Sequence, residues 1–472
     1  MNIETLSKQL SELLNANLRD FFESEDVTTL TPDFARNMIL LIHKLVLQIG
    51  GLTFKQFIES YDIEQDKFME DGLVYRKKYK SCREFMTVLG KIGIERNVYQ
   101  KDMGGKSIVP LDRKWNMEHE YFSVEMKAAL LYSCAHNTPE ETSKLMSIIG
   151  YKAIYSSTIK TMLSKVGEVI EQHKEQINES IHQAEELPQE CDVVTCSLDG
   201  VNIRMKQIGK RKGRPRERPG LDQNKPVASA FKNAMCGAIT HYDIGYQIDS
   251  KDKIPIRRCS KYVSRMPEEH FSTFRKEFEK EIAHMLSSKP KVKILLVDAH
   301  PSLKGYIRGN PLFEDFYYLI DFFHACEHLS NLSEELFGKG NSQGQKWYLE
   351  KREILKTNPD GVNKVINSAK YYMKHARLGK QKLKRAHKEL NYFQKNKKWM
   401  NYYYHIKNGW PIGSGVVEAA CKTIVKQRMT RSGQRWTTKG GQVILDLRTY
   451  VKADRWNNFF PILMSINIRK CA

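Results

Sequence analysis

The stretch Lys-Ile-Leu-Leu-Val-Asp at residues 293–298 constrains the fold of this chain more than any other. Its four consecutive apolar residues predict a strand that is covered on both faces, as central strands of parallel sheets are. Such strands belong to layered α/β structures, in which helices pack against the faces of the sheet. The strand ends at Asp298, and open α/β sheets bind their ligands at the carboxyl ends of their strands. Asp298 is therefore the first candidate for a functional side chain.

The segments around this strand complete an α/β layer. Alternating or continuous apolar residues predict further strands, and one amphipathic segment predicts a helix. The predicted elements are strands at 192–205, 228–242, 243–250 and 316–320, a helix at 268–287, and a short helix or turn at 301–309. This order predicts a mixed central sheet.

The remainder of the chain is mainly helical. Residues 1–70 carry apolar residues at helical spacing, whereas residues 85–99 are rich in β-branched residues and predict a β-hairpin. Residues 322–405 are helical and strongly basic, without a strand signal. Ser414 is a good N-cap for a helix that would carry Glu418 in its first turn.

Two helices joined by a brief turn are predicted between residues 141 and 167, which matches a helix-turn-helix. The second helix opens with small polar residues. In a helix-turn-helix the side chains that face DNA would be those of Ser156, Ser157, Thr158 and Lys160. The alternative is a plain helical pair in which one of the two serines is the N-cap. Both interpretations remain open at this point.

Charge indicates the class of partner. The 472 residues carry a formal net charge of +21, and the pI is about 9.4. A surplus of this size favours a polyanionic partner through counterion release and long-range attraction. It does not by itself distinguish DNA, RNA and an anionic membrane.

Other features of the sequence favour an intracellular protein. The amino terminus lacks the basic and then apolar pattern of a secretory signal. We expect no apolar run of the roughly 20 residues that a membrane span needs, and hence no membrane partner. Nine cysteines without a C-x-x-C pair are typical of reduced thiols and argue against a zinc ribbon. The expected location is the cytoplasm.

The most basic segment lies between two of the predicted strands. Proline and glycine prevent regular structure there, so a flexible cationic loop is predicted. The cationic side chains expected to bind DNA are those of Lys210, Arg211, Lys212, Arg214 and Arg216. The sequence Gly-Arg-Pro-Arg within this loop is similar to an AT-hook core, which inserts arginines into a narrow A·T minor groove. Non-specific phosphate binding is the alternative.

Three acidic residues, far apart in sequence, form the candidate catalytic set. Asp199 lies on the first predicted strand, Asp298 ends the central strand, and Glu418 begins a late helix. Each has an ordinary explanation alone: a turn aspartate, a strand-end cap, or a glutamate favoured by the helix dipole. Together they suit phosphodiester chemistry, because two Mg²⁺ ions need only a few carboxylates besides water and substrate phosphates.

Two motifs resemble those of a known family. They are Asp-Phe-Phe-His-Ala-Cys-Glu-His-Leu from Asp321 and Pro-Ile-Gly-Ser-Gly-Val-Val-Glu-Ala-Ala-Cys-Lys-Thr-Ile-Val-Lys-Gln-Arg from Pro411. The chain resembles bacterial insertion-sequence transposases of the DDE type, above all the Kra-element group, which is related to the Mutator-like superfamily. The resemblance covers residues 190–460 and is looser before them.

The resemblance implies a fold and a set of site residues. It implies an RNase H-like (retroviral-integrase-like) α/β core, with Asp199, Asp298 and Glu418 as the metal-binding catalytic triad. Because a plain core of this type does not need the long gap before Glu418, the helical segment 322–405 is expected to be an insertion domain. The implied cofactors are two Mg²⁺ ions, for which Mn²⁺ can substitute.

Asp321 and His324 occupy the first motif, which could also be interpreted as a zinc site. In that interpretation His324 and His328 would be ligands one turn apart on a helix. The sequence lacks the H-E-x-x-H order, however, and three hard ligands are already present elsewhere. We therefore expect Asp321 and His324 to lie next to the catalytic pocket, where they orient DNA or brace the pocket. Basic residues after the catalytic glutamate are expected to hold phosphates: Lys422, Lys426, Arg428, Arg431 and Arg435.

These features predict a domain order and a function. The predicted segments are a helical region at 1–70, a DNA-binding region at 71–187, the first part of the core at 188–321, the insertion at 322–405, and the last part of the core at 406–472. The expected activity is that of a DNA transposase, a polynucleotidyl transferase and endonuclease that acts on double-stranded DNA as a homodimer or higher oligomer. The alternatives are a metal-dependent nuclease without strand transfer and a helix-turn-helix regulator.

Overall fold

The computed structural model describes residues 3–24, 29–70, 72–101, 104–151, 154–206, 230–299, 305–307, 309–375 and 378–469. The chain divides into two compact units, one of Met1–Ile177 with Asn457–Ala472 and the other of Asn178–Trp456. The basic loop predicted at residues 210–216 lies outside the described residues, as does most of the predicted turn at 301–309. The five predicted domain boundaries stay a prediction.

The first unit contains helices and one three-stranded sheet. Its elements are α1 (Ile3–Ser24), α2 (Pro32–Glu59), β1 (Lys67–Glu70), β2 (Leu73–Thr87), β3 (Gly90–Lys101), α3 (Pro110–Lys114), α4 (Val124–His136), α5 (Pro139–Ile148) and the first part of α6 (Ser156–Ala184). Strands β2 and β3 form an antiparallel hairpin, with β1 on the outer side of β2. The structure thus has the predicted hairpin, and its strands extend beyond the β-branched segment.

Ion pairs fasten the hairpin to the short helix α3. Asp112 is 3% exposed and accepts hydrogen bonds from Arg83 Nη1 at 3.1 Å and Arg96 Nε at 3.0 Å. Arg83 also donates to the backbone carbonyls of Met117 and Glu118. Since these donors are already used inside the protein, Arg83 is a structural arginine rather than part of a solvated basic face.

Helix α2 corrects one expectation from the sequence. By length and composition it can cross a membrane, so the expected absence of such an apolar run is wrong. Only 17% of its most apolar window is buried. Leu41 and Leu45 are buried, while Ile39 and Val46 are 67% and 59% exposed. Length and composition alone do not assign the helix to a membrane.

The predicted helix-turn-helix region contains two helices, α5 and α6, of unequal length. Helix α5 begins with a complete capping box, in which Thr138 and Glu141 satisfy each other's backbone amides. Helix α6 is 29 residues long, with non-helical backbone angles at His173. The second helix therefore extends well beyond residue 167, where the predicted region ends. Ser157 and Lys160 are exposed near its start, where the Lys160 ammonium contacts Glu140.

The second unit is built on a mixed five-stranded sheet. Its strands are β4 (Val193–Arg204), β5 (Phe231–Tyr246), β6 (Lys253–Arg265), β7 (Val292–Val297) and β8 (Tyr317–Ile320), in the spatial order β6-β5-β4-β7-β8. Strands β4, β5 and β6 pair antiparallel, whereas β7 is parallel to both β4 and β8. The predicted mixed α/β sheet is confirmed, with the apolar strand 292–297 in its interior.

One predicted strand was misplaced. Residues 243–250 do not form a strand of their own, because β5 continues to Tyr246 and the next strand begins only at Lys253. The register of β5 against β6 shifts between His241 and Tyr242. Such a bulge interrupts the alternation of inward-facing and outward-facing side chains. The sequence pattern of this one strand therefore predicted two strands.

Helix α7 (Ser272–Met285) covers one face of this sheet. Phe274 and Phe278 are buried, and a Cβ built on Gly237 of β5 would lie 2.6 Å from the Phe278 ring. Glycine is therefore needed at this point for the helix to approach the sheet. The helix spans less than the predicted 268–287, and its predicted apolar face is the one that is buried.

A buried cluster of charges lies beside α7. Arg455 donates to both Glu185 and Glu281, with Nη1 of Arg455 2.9 Å from Glu281. His182 and His284 stack with ring centroids 3.9 Å apart, and each contacts one of the two glutamates at 3.1 Å. The cluster joins the end of α6, helix α7 and the segment that follows residue 452 near the end of the unit.

Between β8 and the late helices the described residues contain helices only, as predicted. They are α8 (Phe322–Phe337), α9 (Ser342–Thr357), α10 (Gly361–His375), α11 (Lys380–Asn396) and α12 (Tyr402–Lys407). Trp347 is 4% exposed and donates from Nε1 to Ser368 Oγ at 2.9 Å. This tryptophan packs in the core of the helical segment.

The chain then returns to the sheet through the predicted late helix. This segment runs from α13 (Gly415–Ala420) through a π-helical stretch, Cys421–Lys426, into the short α14 (Gln427–Met429). Helices α15 (Thr438–Lys452) and α16 (Trp456–Arg469) follow. Helix α13 and the π-helical stretch pack on β4 and β5. Short π-helical insertions are often found at functional sites.

Candidate active site

Three aspartates lie side by side across the neighbouring strands β4, β7 and β8 of the five-stranded sheet. The last residue pairs of the parallel strands are Ser197 with Leu296 and Val297 with Ile320. Continuing these registers places Asp199 opposite Asp298 and Asp298 opposite Asp321. Neighbouring strands lie about 4.8 Å apart. Asp298 and Asp321 directly follow the parallel strands β7 and β8, at the carboxyl ends where α/β sheets place their ligand crevices. Asp199 lies beside them within β4, just beyond the part of that strand that pairs with β7.

Asp321 is the buried member of the row. It is fully buried, at 0% exposure, and is the N-cap of α8, where its Oδ1 accepts from the His324 amide at 2.8 Å. Its Oδ2 accepts from the backbone N–H of Ser414, 93 residues later. Asp321 thus holds the start of two helices, and this supports the expectation that it braces the pocket.

Glu418 enters the site on α13. The helix begins after Ser414, as predicted, but the Ser414 hydroxyl makes no N-cap bond to the helix backbone. It donates instead to Glu418 Oε1 at 3.2 Å. The predicted start of the helix is correct, and the predicted capping contact is wrong, because the serine side chain orients the glutamate. Glu418 itself is exposed to solvent.

One group of side chains can hold a metal ion among the described residues. Asp321, His324 and Glu418 each offer one ligand atom, and these atoms lie within 4.8 Å of one another. Asp199 and Asp298 do not belong to this group. From the sequence we expected His324 to lie next to the metal ions without coordinating them. In the structure its side chain is one of the three potential ligands. The signal was present as an Asp-x-x-His directly after a buried strand.

The acidic surroundings change the protonation of His324. Burial alone would lower the pKa of this imidazole. The carboxylates of Asp321, Asp298 and Glu327 outweigh burial, so that the pKa of His324 is raised above its ordinary value. Glu327 Oε2 lies 3.4 Å from His324 Nδ1. Without a bound cation, the imidazole is therefore protonated more readily than that of an isolated histidine, which makes it a better hydrogen-bond donor. Asp298 is one of the carboxylates that raise its pKa.

Asp199 adjoins the helix segment that carries Glu418. Its Oδ1 accepts from the Gly200 amide at 2.6 Å. Cys421, three residues after Glu418, is buried, and its thiol pKa is raised by the neighbouring Cys236 thiol, by burial and by Asp199. Cys236 pairs with Asp199 across β4 and β5. These contacts bring the Glu418 segment against the first aspartate of the row. No pattern in the sequence indicated that these two thiols would lie at the site.

The donor set fits a hard or borderline divalent cation. Carboxylate oxygens are the ligands that Mg²⁺ and Mn²⁺ prefer, and imidazole suits Mn²⁺ and heavier ions better than Mg²⁺. Asp199, Asp298 and Glu418 are exposed and can bind without losing buried hydrogen bonds. Asp321, by contrast, already uses both oxygens for backbone amides. The site thus combines three accessible carboxylates, those of Asp199, Asp298 and Glu418, with the buried carboxylate of Asp321. His328, which the zinc interpretation required, contacts Glu389 instead.

The predicted phosphate-binding residues are not all on the surface. Lys422, Lys426 and Arg435 are exposed, and Arg431 is partly exposed. Arg428 is 2% exposed, and its guanidinium lies 5.2 Å from the centre of the Trp436 ring. A side chain so deeply buried cannot reach a DNA backbone, and we leave Arg428 out of the surface that we propose for DNA.

Comparisons with known proteins place few limits on this site. No family model matches the chain, and no curated protein matches it. Among solved structures the chain is similar to one titled "Drosophila P element transposase strand transfer complex", with a TM-score of 0.26 and 9% identity over 72% of this chain and 81% of that chain. A likeness of this size supports neither a fold nor a function.

Proposed function

We propose that this chain is a DNA transposase of the DDE type with an RNase H-like core. The observation that carries the proposal is the row formed by Asp199, Asp298 and Asp321 across three adjacent parallel strands, with Glu418 beside Asp321. A sheet whose antiparallel part continues into two parallel strands supports such a core. The helices between β8 and α13 support the interpretation of residues 322–405 as an insertion domain.

In this proposal Asp199, Asp298 and Glu418 hold two Mg²⁺ ions, with Mn²⁺ as a substitute. When bound, such ions activate a water or a 3′-hydroxyl and stabilise the leaving oxygen of the phosphodiester. The exposed position of the three carboxylates supports this role. Asp321 fixes the helix starts on which the neighbouring side chains depend. We propose one of two roles for His324. It is an additional ligand of a bound ion, or, when protonated, it donates a hydrogen bond to a phosphate oxygen.

The charge of the chain supports DNA as the substrate. The surplus of 21 positive charges favours a polyanion, and Lys422, Lys426 and Arg435 lie exposed on the segment that follows Glu418. We propose that this segment binds the phosphates next to the scissile bond. The proposed substrates are the terminal inverted repeats of an element and a target duplex, which a homodimer or higher oligomer would bring together in the cytoplasm, at the nucleoid.

The direct experiment uses the purified full chain and DNA duplexes that carry candidate element ends. With Mg²⁺ or Mn²⁺ we expect nicks that leave 3′-hydroxyl ends at the boundary of the element, followed by joints between those ends and a target plasmid. Sequencing gels measure the nicks, and a plasmid-joining assay measures strand transfer. Nicks without joints would reduce the function to that of a metal-dependent nuclease. DNA binding without either product would overturn the enzymatic proposal.

A further inference from the structure

Phe323 is an exposed aromatic residue that lies beside the group of potential metal ligands. It stands between Asp321 and His324 in the first turn of α8, and it is 53% exposed. Its neighbour Phe322 is 2% exposed and belongs to the core. A single exposed phenylalanine is ordinary on a protein surface. A functional interpretation of Phe323 therefore depends on its position and not on its exposure alone.

The ring of Phe323 reaches the acidic site across Gly413. A Cβ built on Gly413 would lie 2.7 Å from Cε2 and 3.0 Å from Cδ2 of Phe323, and 3.6 Å from Asp321 Oδ2. One edge of the ring and the Asp321 carboxylate thus lie close to the same point. Glycine is needed at residue 413, because a larger residue would displace the ring. Asp321 in turn offers its carboxylate to the potential metal group with His324 and Glu418.

The backbone on both sides of this contact is held in place. The Phe322 N–H donates to the Ile412 carbonyl at 3.0 Å, and Asp321 Oδ1 accepts from the His324 amide at 2.8 Å. The edge of an aromatic ring carries partial positive charge, so an edge suits a position near a carboxylate. Because one edge is turned towards Gly413, the exposure of Phe323 comes from the rest of the ring. The ring is therefore a preorganised apolar surface beside the site.

We propose that Phe323 is a substrate-binding residue, whose ring stacks on the base of a nucleotide next to the scissile phosphate. The inference rests on the proposed function, because it takes the acidic site to be the place where cation and phosphate meet. Aromatic side chains in nucleic-acid channels bind bases in this way, and every base has a π-face, so such a contact tolerates any sequence. The proposal adds an apolar contact to a site otherwise formed by charged side chains.

The rival explanation is that the ring only supports the potential metal ligands. Its edge lies close to Gly413 and to the Asp321 carboxylate, so its loss would then loosen the start of α8. In that case the replacement of Phe323 would weaken the binding of a cation in the absence of DNA, and all DNA substrates would be affected equally. A contact with a base would instead leave the affinity for the cation alone unchanged.

The experiment compares the wild-type full chain with Phe323→Leu, Phe323→Tyr and a matched control, Phe57→Leu. Leucine keeps an apolar side chain against Gly413 and removes the aromatic surface, whereas tyrosine keeps the ring. Phe57 is a 45% exposed phenylalanine on α2 of the first unit. For Mg²⁺-dependent nicking of duplexes with candidate element ends, kcat/KM should fall by about tenfold in Phe323→Leu and stay within about threefold of the wild type in the other two variants. Mn²⁺ affinity, titrated without DNA, should be the same in all four proteins.

Substrates with an abasic site identify the contact. The same duplexes are made with one abasic nucleotide, placed in turn at each position around the cleavage site. At one position the wild type should lose about tenfold in kcat/KM, and Phe323→Leu should lose nothing further there, because both changes remove the same contact.

Three results would each overturn the inference and leave the proposed function standing. They are wild-type kcat/KM in Phe323→Leu, a weaker Mn²⁺ affinity of that variant, and an abasic effect that adds to the loss in Phe323→Leu at every position. A wild-type protein that does not nick intact duplexes would overturn the proposed function itself, and the inference with it.

Discussion

The carboxylate of Asp321 binds the backbone N–H of Ser414 across 93 residues of sequence. With its other oxygen it caps the helix of His324. One buried side chain therefore sets the start of the helix that carries His324 and the start of the helix that carries Glu418. The relationship explains why an aspartate follows β8, whether or not this residue touches a cation.

Replacing Asp321 by alanine should destabilise the protein. The change leaves the buried amides of His324 and Ser414 without acceptors, and each such loss costs about 1–3 kcal/mol. We expect the free energy of unfolding to fall by about 2–5 kcal/mol, measured by urea denaturation. Asp315→Ala, at an 87% exposed side chain near the same strand, is the matched control and should change it by less than about 0.5 kcal/mol. Equal effects of the two substitutions would contradict the bracing role.

Asp298→Ala should separate catalysis from binding. The residue is exposed, so its loss removes a carboxylate without creating a cavity in the core or changing the basic surface. We expect Mg²⁺-dependent nicking to disappear while affinity for an end duplex stays within about twofold. Nicking assays and fluorescence anisotropy measure the two quantities. Full nicking by this variant would remove Asp298 from the catalytic set, and Asp315→Ala again provides the control.

The basic residues after Glu418 should determine the salt dependence of DNA binding. Each phosphate contact that is lost lowers the slope of log K against log salt by about 0.9. A combined alanine variant at Lys422, Lys426 and Arg435 should therefore bind more weakly and flatten this slope by about 2–3. Arg428→Met is the contrasting variant. Because Arg428 is buried, this substitution should lower the stability of the protein and leave the salt slope unchanged. An unchanged slope in the triple variant would show that DNA binds elsewhere.

The buried cluster around Arg455 should make the second unit sensitive to acid. Burial alone would raise the pKa of Glu281, but Arg455 and His182 outweigh it and lower the pKa from 4.5 to about 2. A carboxyl with a depressed pKa stabilises the fold above its unfolded pKa, and this contribution is lost as the pH falls through the folded value. The free energy of unfolding should therefore fall between pH 4.5 and about 2, by on the order of 3 kcal/mol from this group.

Glu281→Gln tests that assignment. The amide cannot titrate and carries no charge, so the variant should be less stable at neutral pH, where the buried Arg455 keeps the carboxylate of Glu185 and loses that of Glu281. Its unfolding free energy should also depend less steeply on pH below 4.5. Denaturant titrations at several pH values measure both. A variant with the wild-type pH dependence would show that another group controls the acid transition.

The sequence predicted those parts of the fold that depend on local periodicity. Two examples are the buried strand before Asp298 and the all-helical segment after Asp321. In each, a few consecutive residues contain the whole hydrophobic pattern that predicts the element. The split of β5 was missed because a bulge at His241 and Tyr242 breaks the alternation. The length of α6 was missed because a kink at His173 separates two helical patterns within one helix.

The sequence predicted which residues belong to the candidate site, but not which of them lie close enough together to share a metal ion. Acids at strand ends can be identified from the sequence, because the end of an apolar run is visible there. Which of them lie within ligand distance depends on the register of β7 against its neighbours and on where α13 docks. Neither is encoded locally. The burial of Arg428 and the position of the Phe323 ring against Gly413 likewise result from tertiary packing.

The helical segment between Asp321 and Ser414 leaves and rejoins the sheet at a single point, where Phe322 N–H also donates to the Ile412 carbonyl at 3.0 Å. Its two ends are thus neighbours in space. Closing a loop of about 90 residues costs on the order of 4 kcal/mol in chain entropy. Contacts of such long range form late in folding. During synthesis the strand-end aspartates therefore exist before Glu418 can join them, and a newly made chain acquires its complete acidic site only once the insertion has folded.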